Sequence, residues 1–127
     1  MEVKNVALVE IRSPLGTLVQ DELILPNGEK RPRGFQNLSE TVEPGEKPLQ
    51  AAVRGVMEEL GLQISSSRFR RMGTKKETKP SPTTGKITRY EFSSFRLILT
   101  AEEAAQVPSS VKEEDGNVIT FYWSNSK

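Results

Sequence analysis

The clearest periodic signal in this chain is an apolar stripe at helical spacing. Leu49, Ala52, Val53, Val56, Met57 and Leu60 recur at intervals of three and four. Pro48 suits a first helical turn, where its missing N–H goes unused. Gly61 suits the C-terminal cap. The spacing predicts one long helix over 48–60.

Most other apolar runs read as strands, at 3–11, 17–25, 69–78, 87–99 and 118–123. Turn signals separate them: Ser13-Pro14-Leu15-Gly16, then Pro26-Asn27-Gly28, where Asn-Gly tolerates positive φ. Residues 29–34 are polar and basic and read as loop or ragged edge strand, and 35–42 shows no clear period. The Pro- and Gly-rich stretch 79–86 joins two strands as a hairpin. Thr100 and Glu103 have capping-box spacing, which predicts a short helix over 101–106, stopped by Pro108. Residues 112–117 read as a charged loop. The 127 residues suit a single α+β domain, 1–127, with a mixed sheet and no repeat or linker.

Composition removes whole classes of chemistry. With no Cys there are no disulfides or thiolate sites, and with no His there is no Ser-His-Asp or Cys-His machinery and no His-bound zinc. Acid–base work falls to carboxylates, Lys or Tyr, and any metal must be a hard, oxygen-seeking ion. A net charge of +1 argues against nucleic acid as a main partner. No run reaches the roughly 18 apolar residues of a membrane span, and the start lacks a signal-peptide core. The expected location is the cytoplasm.

The segment leading into and along the helix carries a motif. Glu46 precedes Arg54 by eight positions, and Val56, Glu58, Glu59, Gly61 and Leu62 follow in register. Val42-Glu43-Pro44-Gly45 forms the approach. Arg54, Glu58 and Glu59 alone could be a solvated helix face, since such pairs add only about 0.2–0.5 kcal/mol. The whole set resembles the Nudix box, the motif of enzymes that cleave a nucleoside diphosphate linked to another group. The resemblance implies a Nudix fold, an α/β/α sandwich. It also implies that Glu58 and Glu59 bind Mg2+ or Mn2+, with Glu59 a candidate for catalysis, and that Glu46 pairs with Arg54 as a structural clamp. The late Phe121-Tyr122-Trp123-Ser124 is similar to the family's late Trp-x-Ser. Glu113-Glu114-Asp115 stands where many relatives supply one more acid. The helix that usually follows the late tryptophan has no counterpart here. Either the chain is a piece of a longer one or a partner covers that side of the sheet, and a homodimer is one expectation.

Two departures interrupt the pattern. Gly55 stands where the family has a glutamate that binds metal and often activates water, and Glu40 stands at the opening glycine, after Leu38-Ser39. Glycine has no ligand atom and costs roughly 1 kcal/mol in a helix interior. The expectation is therefore a degenerate member with weak or absent turnover. Two alternatives stay open: an active pyrophosphohydrolase that borrows a carboxylate from another loop, with Glu114 the candidate, or a module that binds a ligand or protein without cleaving anything. Gly55→Glu should raise Mg2+ affinity, and it should create or boost hydrolysis if the substrate pocket is intact.

The expected partner is a nucleotide or other phosphorylated small molecule. Lys86 and Arg89, beside the basic run Arg68, Arg70, Arg71, Lys75, Lys76 and Lys79, are candidates to cradle its phosphates. A solvated hairpin whose charges resist edge pairing is the other reading of that run. Tyr90, Phe92, Phe95 and Trp123 read as core.

Overall fold

The computed structural model describes residues 2–82 and 84–125. In chain order it contains β1 (Glu2–Ser13), β2 (Gly16–Ile24), β3 (Lys30–Phe35), β4 (Asn37–Thr41), α1 (Pro48–Leu60), β5 (Phe69–Pro80), β6 (Ile87–Ile98), α2 (Ala101–Ala104), β7 (Ser110–Lys112) and β8 (Val118–Ser124). The eight strands form one mixed sheet in the order β5-β6-β1-β2-β8-β7, with β3 paired to β2 and β4 paired to β1. It is a mixed α+β fold with two helices.

β1 organises the sheet. It runs parallel to β6, with Val9 opposite Phe95 and Ile11 opposite Leu97. It runs antiparallel to β4, with Val9 opposite Leu38 and Ala7 opposite Glu40. Alternation sends Ala7, Val9 and Ile11 to one face, so Leu38, Glu40, Phe95 and Leu97 share that face. Helix α1 covers it with Ala51, Ala52, Val56 and Leu60 in one continuous core. Ala51 and Ala52 carry only methyl groups, which lets the helix approach the strands closely.

The helix bounds agree with the periodicity, but its buried face is turned from the stripe. Ala51, Ala52, Gly55, Val56 and Leu60 are buried. Leu49 and Val53 pack only at the border, and Met57 is 48 % exposed. Small residues win the contact side because the sheet is near, whereas apolar size alone points to Met57.

Other elements also differ from expectation. The segment 35–42 contains β4, in which only Leu38 is both apolar and buried, so no period shows. The basic segment 29–34 pairs with β2 as β3. Helix α2 stops at Ala104 and continues as a turn, with Gln106 N–H donating to Glu103 O. Lys112 ends a short strand, β7, rather than opening a loop. Among the described residues, no helix is long and apolar enough to cross a membrane.

One ion pair fastens α2 to the rest. Arg68 donates from Nη1 and Nη2 to Glu103 at 3.0 and 2.7 Å, and from Nη2 to Ile98 O at 3.0 Å. The Thr100 N–H donates to the same carboxylate at 2.9 Å. Arg68 and then Thr100 hold the Glu103 pKa down at about 2, from 4.5. A depressed carboxyl stabilises the fold above its unfolded pKa and loses that effect as pH falls through its folded one. Glu103→Gln is therefore expected to cost about 1 kcal/mol at pH 7, the usual worth of a cap. In urea titrations its deficit against the parent should shrink as pH drops from 4.5 toward 2.

Candidate functional site

The site is built on the loop before α1. Gly45 takes φ +79°, the left-handed region that favours glycine, and lets the chain turn so that Glu46 N–H donates to Glu43 O. The Glu46 carboxylate then accepts from Glu43 N–H at 3.0 Å, from Arg54 Nε at 3.0 Å and from Arg54 Nη2 at 3.0 Å. The Arg54 hydrogen bonds, first, hold the Glu46 carboxyl below its ordinary range. Arg54 also donates to Thr41 O at 2.8 Å, to Glu40 Oε1 at 2.9 Å and to Glu58 Oε2 at 3.4 Å. One guanidinium thus ties the loop, the end of β4 and the middle of α1 together.

Gly55 lies over β4. A Cβ placed on it would stand 3.2 Å from both Cβ and Oε2 of Glu40 and 3.3 Å from its Cγ. The space that a side chain at position 55 would leave through already holds a carboxylate. A side chain at position 55 would require Glu40 to shift by a few tenths of an ångström.

Glu40, Glu58 and Glu59 line one open pocket of ≈ 680 Å³, together with Glu113, Glu114 and Asp115. The side chain of Glu58 is 56 % exposed, whereas Glu59 is half-buried. Burial, then the charges of Glu113 and Glu40, push the Glu59 carboxyl up, and Arg33 opposes them. Burial also pushes Glu40 up, against the pull of Arg54. Raised carboxyls stabilise the fold below their unfolded pKa and lose that contribution as pH rises through the folded one. The pocket gathers six carboxyl groups and one amine, that of Lys112.

The other sequence candidates fall elsewhere. Lys86 and Arg89 do not line the pocket; Arg89 pairs with Glu91 at 3.3 Å and Lys86 lies beside the β5–β6 turn. Gly61 caps α1 at φ +72°, its N–H donating to Met57 O. Besides Arg54, which pairs with Glu40 and Glu58, Lys112 lies on the pocket wall and the charge of Arg33 acts on Glu59. The Arg33 guanidinium carbon lies 5.1 Å from the Phe35 ring centre, and its Nε is buried with no hydrogen-bond partner among the described residues. Sequence reading missed Arg33 and the position of Glu40, since both act through contacts remote in the chain.

A family model described as NUDIX domain matches residues 3–123. The chain belongs to the Nudix family. Among solved structures, it is similar to the E. coli dihydroneopterin triphosphate pyrophosphohydrolase, at 19 % identity and a TM-score of 0.56, over 97 % of this chain and 82 % of that one. It is also similar to a mutator MutT protein from Bacillus halodurans, at 16 % identity and 0.56, over 96 % and 68 %. A MutT protein from Methanosarcina mazei Go1 gives 16 % and 0.53, over 98 % and 78 %. At these identities the likeness concerns the fold. No curated protein matches the chain.

Nudix proteins generally use divalent cations, and the donor chemistry here suits one. The pocket offers carboxylate oxygens, the ligands that Mg2+ and Mn2+ prefer. Among the described residues, no three acidic side chains already converge on a single point.

Proposed function

We propose that this Nudix domain hydrolyses a phosphoanhydride in a nucleotide-linked or similar phosphorylated metabolite, with Mg2+ or Mn2+. The observation that carries this reading is the gathering of Glu40, Glu58, Glu59 and the Glu113–Asp115 acids around one pocket at the end of the box helix. When bound, the cation neutralises phosphate charge and lowers the pKa of water. Glu58 and Glu59 would hold it. Glu59, whose carboxyl is raised by burial and neighbouring acids, accepts the proton of the attacking water. Glu114, on the facing loop, is a further acid within the same cavity. Arg33 and Lys112 supply positive charge for the substrate phosphates.

The test is phosphate release from a panel of nucleoside di- and triphosphates, nucleotide sugars and dinucleoside polyphosphates. Turnover that requires Mg2+ or Mn2+ and disappears with EDTA is expected. Background-level release across the panel would reject hydrolysis. One observation favours a second reading, binding without cleavage: the acids do not converge as they stand. A non-hydrolysed nucleotide that raises Tm in the absence of any turnover would select that reading.

A further inference from the structure

Two buried side-chain polar atoms among the described residues have no hydrogen-bond partner: Oε1 of Gln20 and Nε of Arg33. Both belong to neighbours of one exposed ring. Phe35 stands directly across from Gln20 in the β2–β3 ladder, and the Arg33 guanidinium lies over its ring. A buried polar group without a partner loses its hydration and gains nothing in return, so its presence calls for an explanation.

Gln20 is 7 % exposed and lies on the helix side of the sheet, as Leu18 does two residues earlier. Its Nε2 donates to Asn37 O at 3.0 Å, which fixes the amide and leaves Oε1 as the unused acceptor. Strand β2 is irregular directly after Gln20, in its pairing with both β3 and β8. Bulges of this kind re-aim side chains beside binding sites. Gln20, Phe35, Gln36 and Leu38 line a cavity of ≈ 10 Å³. That is room for one water-sized group, such as an amine, and not for a ring. Phe35 is 53 % exposed although it shares the helix side of the sheet.

Building on the reading of the preceding section, we infer that β2 and β3 hold the nucleobase of the ligand: Phe35 stacks on the ring, and Gln20 Oε1 accepts a hydrogen bond from an exocyclic amine that enters the cavity. Gln20 thereby selects amine-bearing bases, because a carbonyl oxygen in the same place would set acceptor against acceptor. Arg33 connects this subsite with the phosphate end. Its guanidinium carbon lies 5.1 Å from the Phe35 ring centre, and its charge acts on Glu59, which lines the acidic pocket.

The test is calorimetric binding with Mg2+ present. The probes are α,β-methylene diphosphates, whose bridging carbon resists cleavage, of adenosine and inosine and of cytidine and uridine, with methylenediphosphonate as the probe without a base. In at least one pair the amine-bearing member should bind about tenfold or more tightly than its carbonyl counterpart. Gln20→Met should erase that ratio. Phe35→Ala should weaken nucleotide binding by about tenfold, the scale of one base stacked on an aromatic ring, and leave methylenediphosphonate unchanged. Circular dichroism checks that each variant folds. The inference is overturned if the parent binds both members of each pair alike, as it would if only a trapped water met Gln20. It is also overturned if Phe35→Ala binds nucleotides as the parent does, or if it weakens methylenediphosphonate equally. If Gln20→Met does not fold, the parent's amine-to-carbonyl ratio and Phe35→Ala decide. Methylenediphosphonate binding without any effect of the base would sink this inference and leave the preceding reading standing. Base-selective binding without turnover of the cleavable nucleotides would reject hydrolysis alone. Failure of every probe to bind would overturn both.

Discussion

Glu59→Gln is expected to lower metal-dependent phosphate release by about 10²-fold or more while leaving the protein at least as stable as the parent. The two effects have opposite signs for one reason. Burial and the charges of Glu113 and Glu40 push the Glu59 carboxyl up, so its ionised form opposes folding at neutral pH. Glutamine removes that charge and retains the shape. On the proposed function it also removes both a metal ligand and a proton acceptor, and loss of a general base typically costs about 10²–10⁴ in rate. Turnover and urea midpoint measured at pH 7.5 would separate the two effects. A lower midpoint together with lost turnover would mean that Glu59 supports the fold rather than the chemistry. The stability gain should vanish in acid, where the carboxyl is protonated in both states.

Arg54→Met is expected to act in the reverse way and destabilise the fold by about 2 kcal/mol. Breaking a buried ion pair costs about 3–5 kcal/mol, and the 23 % exposure of Arg54 reduces that figure. The loss is concentrated because Arg54 alone links Glu46, Glu40, Glu58 and Thr41 O. Methionine keeps the aliphatic stem, so the effect reports charge and hydrogen bonds rather than packing. Without Arg54, Glu40 and Glu58 would also lose the cation between them. Equal urea midpoints for parent and variant would show that the network contributes nothing net.

The local parts of the site were legible because their signals are local. Helix α1 announces itself through period, Pro48 and Gly61, and the spacing of Glu46, Arg54, Glu58 and Glu59 fits a loop that meets a helix. Strand β4 was not legible, because Asn37–Thr41 buries a single apolar side chain and shows no alternation. Met57 was misplaced for a related reason: hydrophobicity along a helix indicates a stripe, but the depth to which each residue sinks depends on how closely the sheet approaches. Lys86 and Arg89 carry the charge a phosphate needs but do not line the pocket, while the charge of Arg33, in a segment without a clear pattern, acts on Glu59.

The sequence by itself determined the box helix, its caps, the register of its charged residues and the restriction of any metal site to oxygen ligands. These follow from spacing along one chain segment and from residue types that are absent. Only the tertiary structure decided that Glu40 and Gly55 are two halves of one contact. The antiparallel pairing of β4 with β1 brings Glu40 under the helix, and the approach of a helix to a strand is set by packing across the whole sheet. Read separately, each residue is a defect in the motif; in contact, one fills the space the other leaves.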